Sequence, residues 1–400
     1  MKIERIHVRN FRALYDVELC DIPSLAVFVG ENGSGKSTLF QIFEFLKDAL
    51  QNNVSTALQK MGGYKEVATR GHLDESIIFE IQFRMEIAEI HRLVSYHLEI
   101  ATDQNGAPII QREILRYKRG RYGSPFHFLD FSKGEGFAIS NEEDFSKPDE
   151  ELTKDNQSLG SRDILAIKGL GQFQRFKAAS AFRNLIENWH VSDFHIMAAR
   201  QRIEVGVAEH LSESGDNLPL VVKHLHENDR QTFDTILEKF RTRIPGMSKV
   251  STSVTQDGHV LLRFQDDIFK DPFIARYVSD GTIKMFAYLV LLHDPNPHPF
   301  LCIEEPENQL YPKLLGILVD ELRDYARRGG QVFVSTHSPD VLNYVEIEEA
   351  FFLKKTDGLT SISPLAENRQ IKALIDEGDE LGWLWRQGFF EEHNSSSQND

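Results

Sequence analysis

Ile6 and Val8 alternate with polar neighbours, and Leu25 to Val29 is a short apolar run that stops at Gly30. Ile77, Phe79, Ile81, Phe83 and Met85 alternate with Ile78, Glu80, Gln82, Arg84 and Glu86, a period of two that predicts a half-buried strand. Val94, Tyr96, Leu98 and Ile100 repeat it, and an Asn105-Gly106 turn leads to a third strand near Ile109–Tyr117, as in a hairpin. One predicted helix, Ser37–Leu50, interrupts these strands. Between Gly120 and Gly171 glycine, serine and acids dominate, as in Ser140-Asn141-Glu142-Glu143-Asp144, and predict loops or an insert with little regular structure.

Helical spacing follows. Phe182, Leu185, Ile186 and Trp189 fall at i, i+3, i+4 and i+7, as do Phe233, Ile236, Leu237 and Phe240. Pro245-Gly246 ends the second helix, and Asp257-Gly258 turns another hairpin. In the last third, strands at Phe300–Ile303, Gln331–Ser335 and Ala350–Leu353 alternate with an amphipathic helix at Lys313–Ala326. That rhythm predicts an α/β fold with a parallel sheet covered by helices. The polar tail His393–Asp400 reads as disordered.

Composition narrows the classes. At 41% hydrophobic, 400 residues can bury the core of one large or two medium domains. No apolar run reaches the roughly 18–20 residues that span a membrane, and the amino terminus lacks a signal-peptide pattern, so a cytoplasmic protein is expected. Two cysteines, Cys20 and Cys302, read as plain buried side chains rather than a disulfide or zinc framework. The net charge of −16 argues against a general nucleic-acid coat, leaving a local basic patch or a partner as the source of any DNA contact.

Gly30-Glu31-Asn32-Gly33-Ser34-Gly35-Lys36-Ser37-Thr38 fits G-x-x-x-x-G-K-[ST] between a predicted strand and a predicted helix. The pattern arises by chance in about 1% of chains this long, and its placement is the one that lets backbone N–H groups and a helix amino terminus hold phosphates. Asn32, Gly33, Ser34, Gly35, Lys36, Ser37 and Thr38 are therefore candidate ATP-binding residues, with Lys36 on the terminal phosphates and Ser37 on Mg2+. A second apolar strand ends in Glu304-Glu305-Pro306-Glu307. Phosphoryl transfer to water needs one acid for the metal and one for the nucleophile, so Glu304 is the candidate metal residue and Glu305 the candidate general base. His337, at the end of the strand Gln331–Ser335, could reach the γ-phosphate or the attacking water.

These motifs carry a resemblance. Tyr277-Val278-Ser279-Asp280-Gly281-Thr282 looks like an ABC signature loop, and the order Walker A, signature, Glu-Glu-Pro-Glu, Ser335-Thr336-His337-Ser338-Pro339 resembles the ABC-type ATPases of the SMC, RecF and overcoming-lysogenisation-defect branch. Ile6-His7-Val8-Arg9-Asn10-Phe11-Arg12 is similar to the first strand of that branch, and Leu381-Gly382-Trp383-Leu384-Trp385-Arg386-Gln387-Gly388 to the endings of its short stand-alone predicted ATPases. The resemblance implies an ABC-type P-loop ATPase head: a mainly parallel core sheet flanked by helices, an antiparallel β subdomain, and a helical or irregular insert. The expected divisions are 1–118 (Walker A lobe and β subdomain), 119–245 (insert and helices), 246–366 (signature, Walker B and His337) and 367–400 (helix and tail). It also implies head-to-tail pairing of two copies, with Ser279 and Gly281 meeting the γ-phosphate bound by the partner, and Pro306-Glu307-Asn308 touching the partner as a D-loop. Glu304 stands where many relatives have Asp, a pattern shared with the lysogenisation-defect group. Gln82 and Gln201 both remain open as the Q-loop residue, and Arg70 and Arg200 read as exposed arginines that could reach phosphates.

No sustained heptads separate Walker A from the signature, unlike SMC proteins, and the stretch after His337 is too short for the Toprim nuclease domain of the lysogenisation-defect proteins. The first expectation is an ATPase that regulates a separately encoded effector, such as a nuclease in anti-phage defence. The alternatives are a RecF-like DNA-binding ATPase in repair and an ATP-gated scaffold with negligible turnover. For DNA the candidate is Arg112–Tyr122, with Arg112, Arg116, Lys118, Arg119 and Arg121 around Tyr117 and Tyr122; its plainer reading is a solvated hairpin edge. Trp383, Trp385, Phe389 and Phe390 read equally as a docking surface or as core.

Overall fold

Period-two alternation in the first third of the chain builds a long antiparallel sheet. The computed structural model describes residues 2–87, 90–118, 125–141, 151–194, 196–268 and 271–391. Two compact units form, Met1–Trp189 with Phe351–Glu367, and His190–Ala350 with Asn368–Asp400.

The first unit contains β1 (Lys2–Phe11), β2 (Leu14–Cys20), β3 (Leu25–Val29), β4 (Ile77–Ile87), β5 (Ile90–Thr102), β6 (Pro108–Tyr117), β7 (Phe126–Ser132), β8 (Glu135–Ile139) and β9 (Lys154–Ser158). All but β3 join one antiparallel sheet in the order β2-β1-β4-β5-β6-β7-β8-β9. Its register lines up Ile6, Ile81, Tyr96, Leu115, Leu129 and Ala138 across six strands, and every one of them is buried. A one-residue slip would turn that whole row to solvent, which is why the alternation fixes the pairing. The unit's helices are α1 (Lys36–Gln51), α2 (Val54–Lys60), α3 (Tyr64–Val67), α4 (Ala166–Leu170) and α5 (Lys177–Glu187). Phe45 of α1 packs on Phe79 and Phe11, and Phe182 of α5 on Phe83 and Tyr96. The wholly buried β3 lies beside the strand Ala350–Thr356, which pairs antiparallel with Leu359–Pro364.

The second unit runs through β10 (Trp189–Ser192), α6 (Ile196–Ala199), β11 (Ile203–Glu204), α7 (Leu218–Asn228), α8 (Arg230–Arg243), β12 (Met247–Val254), β13 (His259–Asp266) and β14 (Phe273–Ile274). It continues with α9 (Asp280–Leu292), β15 (Phe300–Glu304), α10 (Pro312–Arg327), β16 (Gln331–Thr336), α11 (Pro339–Leu342), α12 (Arg369–Glu377) and α13 (Leu381–Arg386). β15 and β16 pair in parallel through the crossover helix α10, with Glu304 opposite Ser335. The helix α9 is apolar all round and is buried almost all round, as such a helix must be.

Several expectations change. The region read as irregular holds β7, β8, β9 and α4. Its strands extend the ladder from β6: β7 and β8 bury Phe128, Leu129, Phe131, Ala138 and Ile139, while the polar sequence of β9 (Lys154-Asp155-Asn156-Gln157-Ser158) hides a strand carried by backbone bonds. Lys133 and Gly134, both at positive φ, close the β7–β8 hairpin, the conformation that matches strand twist in a two-residue turn. Trp189 is not on the helix of Phe182: α5 ends at Glu187, where Asn188 turns back onto Asn184, and Trp189 opens β10 while still packing on Phe43. β6 lies inside the sheet rather than at an edge. Tyr117 is buried against Phe128 with ring centroids 3.8 Å apart, so its ring is not offered to a nucleic acid, while Arg112 is exposed and pairs with Asp130. Cys20 is exposed, because the alternation of β2 turns it outward, while Cys302 is buried. Arg119, Arg121, Tyr122, Glu142-Glu143-Asp144 and the tail His393–Asp400 lie outside the described residues.

One buried acid makes stability depend on pH. Glu113 of β6 accepts the N–H groups of Ala166 (2.5 Å) and Ile167 (3.2 Å) and the Tyr96 hydroxyl (3.1 Å). Burial pushes its carboxyl up to about 7 despite these donors. Between its ordinary value and about pH 7 the folded chain then holds the extra proton, so stability is full in acid and falls as pH rises through neutrality. Urea unfolding at pH 5 and pH 8 should show wild type losing about 2–3 kcal/mol that Glu113→Gln does not lose. Equal slopes in the two proteins would count against the assignment.

Candidate functional site

The P-loop follows from β3. Its five apolar residues deliver Gly30 to a turn in which Gly33 and Gly35 both take positive φ, and Lys36 then opens α1. Lys36 is buried, and its Nζ donates to the carbonyls of Gly30 (2.7 Å) and Glu31 (3.0 Å). Ser34 Oγ is buried with no hydrogen-bond partner, whereas Asn32, Gly33 and Ser37 are exposed and Thr38 is half-buried. A contact far along the chain holds this loop: Thr360 Oγ1 donates to Ser34 O at 2.8 Å, and a Cβ on Gly35 would stand 2.5 Å from that same hydroxyl.

A cleft of about 780 Å3 opens beside the loop, lined among others by Arg12, Thr38, Thr69, Arg70, Asp357 and Leu359. The Asn10-Phe11-Arg12 segment shapes it. The Asn10 side chain, at positive φ and buried, donates to His72 O and Glu75 O and accepts the Thr69 N–H, which fixes the loop carrying the exposed Arg70. Arg12, also at positive φ, donates from Nη1 to Gln41 at 2.6 Å. Positive φ is costly for such residues and persists where surrounding bonds dictate it.

In the second unit the carboxylates and His337 meet. Glu305 leaves β15 at φ 40° and donates its N–H to Ser335 O. Asn308 Nδ2 donates to Glu305 Oε2 (3.0 Å), and His337 Nδ1 lies 3.2 Å from Glu305 Oε1. A carboxylate only accepts, so Nδ1 carries the proton in that bond. Glu307 Oε1 accepts the Thr336 hydroxyl (2.7 Å) and the His337 N–H (3.2 Å). Its side chain is only 8% exposed and Pro306 is buried; of the expected D-loop, Asn308 alone is exposed. Glu304, at the end of β15, is half-buried.

The signature segment caps α9. Ser279 is the N-cap, accepting the Thr282 N–H and sharing a 2.7 Å bond with the Thr282 hydroxyl. A Cβ on Gly281 would come within 2.9 Å of Gln309 O, so the signature and the Glu305–Leu310 loop touch. Arg200, read as an exposed arginine, instead donates to Val278 O and pairs with Asp280 at 2.6 Å. Sequence reasoning also passed over Lys284, which α9 buries so that its Nζ donates to Asn308 O at 2.9 Å. Burial pulls its ammonium down to about 8, partly offset by Glu307, Asp193 and Glu305. Only its place in the second turn of an apolar helix marked it. Gln82 is half-buried on β4, and Gln201 is exposed after α6.

The carboxy-terminal aromatics divide. Trp385 Nε1 donates to His337 O (3.3 Å), Arg386 pairs with Asp340 (2.7 Å) and the Gly382 N–H bonds Asn343, so α13 is fastened to the segment that follows His337. Phe390 packs on Trp385, whereas Trp383 is 46% exposed beside Phe389.

Residues 25–343 match the family model described as "AAA domain, putative AbiEii toxin, Type IV TA system". Among solved structures, the chain is similar to an SMC head bound to the C-winged helix domain of ScpA, at TM-score 0.56 and 14% identity, over 91% of this chain and 98% of that one. It is also similar to an SMC head with an extended coiled coil bound to the C-terminal domain of ScpA, from Pyrococcus furiosus, at TM-score 0.52 and 12% identity, over 94% and 99% of the two chains. At such identities the likeness is one of fold. No curated protein matches the chain.

Proposed function

The chain belongs to this AAA-domain family and has an α/β fold similar to the SMC head, and on that premise we propose that it is an ATP-hydrolysing switch. Two copies pair head to tail around ATP, and the nucleotide state controls a separately encoded effector of nuclease type in defence against phage. The observation that carries the reading is the Glu305 carboxylate, held at positive φ between Asn308 and His337 at the end of an apolar strand. That is where a general base for water attack on a phosphate is needed.

The donor set of the P-loop fits a polyphosphate: an ammonium at Lys36, a buried unpartnered hydroxyl at Ser34, hydroxyls at Ser37 and Thr38, and the positive end of α1. Asn32, Gly33 and Gly35 complete the loop, and Ser37 and Glu304 are the residues that would serve as Mg2+ ligands. Bound there, the ion would neutralise phosphate charge. Glu305 takes the proton from water, and His337, keeping its Nδ1 proton on Glu305, offers Nε2 to the reacting group. Ser279 and Gly281 of the second copy close the nucleotide site. The SMC head of known structure is seen with a separate protein, ScpA; by analogy the effector here is a separate chain.

Light scattering with and without Mg-ATP tests the pairing. Wild type should gain mass with ATP, while Ser279→Arg binds ATP with unchanged affinity and stays at its starting mass. The purified chain should release phosphate and leave DNA uncut. A mass indifferent to ATP in wild type would sink the sandwich. The loop anchor gives a further expectation. Thr360→Val leaves the buried Ser34 carbonyl without its donor, a cost of about 1–3 kcal/mol. Part of that should appear as nucleotide affinity weakened about tenfold in equilibrium dialysis. Unchanged affinity would show that the P-loop holds its shape without Thr360.

A further inference from the structure

The second unit holds a cluster that the nucleotide chemistry does not use. His210 precedes α7, and Asp294 and His298 lie on the connection between α9 and β15, at the opposite end of β15 from Glu304. One ligand atom from each lies within 4.8 Å of the others. The Asp294 side chain is 4% exposed, and its Oδ2 stands 2.8 Å from His210 Nδ1. The other oxygen, Oδ1, accepts the Asn296 N–H at 2.8 Å, which sets the orientation of the carboxylate. Both histidines are pinned through their backbones: Asn217 Nδ2 donates to His210 O at 2.9 Å, and the Tyr325 hydroxyl donates to His298 O. His190 of β10 stacks on the His298 ring, with centroids 4.6 Å apart. An ordinary Asp–His pair accounts for His210 and Asp294. It does not account for a second imidazole brought to the same place on an equally braced backbone.

We infer that His210, Asp294 and His298 form a binding site for a divalent transition metal, with Zn2+ the best fit. Two imidazole nitrogens and one carboxylate oxygen suit Zn2+, whereas Mg2+ and Ca2+ take oxygen ligands. Donors around a tetrahedral Zn2+ stand about 3.3 Å apart. A gap as wide as 4.8 Å would therefore close by about 1.5 Å, a movement within reach of the partly exposed His210 ring. That exposure also gives the ion an entry path and leaves a fourth position for water. The bound ion ties the segment before α7 to the connection that carries α9, with its signature, into β15, with its carboxylates.

Untagged full-length protein, freed of metal by chelator and then of chelator, is titrated with Co2+ in the absence of nucleotide and followed by visible absorption. One equivalent per chain should bind, Zn2+ should displace it, and Zn2+ should raise the thermal midpoint. His298→Ala and His210→Ala should each weaken Co2+ binding at least tenfold with the far-ultraviolet circular dichroism unchanged. The His210 side chain is 40% exposed, so its variant reads the site even if His298→Ala folds poorly. No saturable uptake by wild type, preference for Mg2+ over Zn2+, or wild-type affinity in the His210 variant would each overturn the assignment. With nucleotide left out, none of these outcomes depends on the P-loop.

Discussion

Glu305→Gln is expected to lower phosphate release by about 10²–10⁴-fold, to leave ATP affinity within a few-fold of wild type, and to accumulate the ATP-bound pair in light scattering. Glutamine preserves the volume and one acceptor oxygen, so either the bond from Asn308 or the one from His337 survives. The other donor meets an amide N–H₂ instead, and the group that accepts the proton is gone. Glu304, the preceding residue, does not substitute for it, because Glu304 is the end residue of the ladder opposite Ser335 while Glu305 turns away at positive φ. Loss of turnover with loss of nucleotide binding would mean that the substitution had disturbed the site itself. Turnover kept at wild-type rate would remove Glu305 from the mechanism and leave the clamp without its release step.

The second large effect is on stability. Glu321 of α10 is 1% exposed, and it receives Lys239 at 2.9 Å and Arg243 at 3.1 Å from one face of α8, and His293 at 3.1 Å from the end of α9. Burial pushes its carboxyl up, but His293, Lys239 and Arg243 outweigh that and hold it down at about 2. Removing a buried partner strands the charges it satisfied, so Glu321→Gln should cost about 3 kcal/mol at pH 7 in urea unfolding, discounted from the fullest loss because Lys239 and Arg243 reach solvent. The depressed value makes the contribution present above the ordinary glutamate range and lost as pH falls towards 2. Wild type should therefore converge on the variant in acid. A variant as stable as wild type at neutral pH would mean that desolvation had cancelled the pairing.

What was legible in the sequence was whatever local periodicity and local motif encode. The strands from Ile77 to Tyr117 were readable because one face is buried, and the P-loop because a strand, two glycines at positive φ and a helix start all sit within nine residues. The adjacent carboxylates and the signature could be placed on a strand end and a helix N-cap for the same reason. The strands β7 to β9 were hard to read, since β7 and β8 are short and set among glycine and acidic residues, and β9 buries no side chain and is held by backbone ladder bonds. Tertiary structure alone decided contacts between residues far apart in the chain. Thr360 bracing Ser34, Arg200 fastening the signature, α13 bonding the backbone of His337, and two histidines converging on Asp294 all depend on separations that no local pattern records. Side-chain burial is the other decision made in three dimensions. Lys284, Glu113 and Glu321 look like ordinary surface charges in sequence, and only the packing around them makes one a weakened cation, one a near-neutral acid and one a strongly held anion.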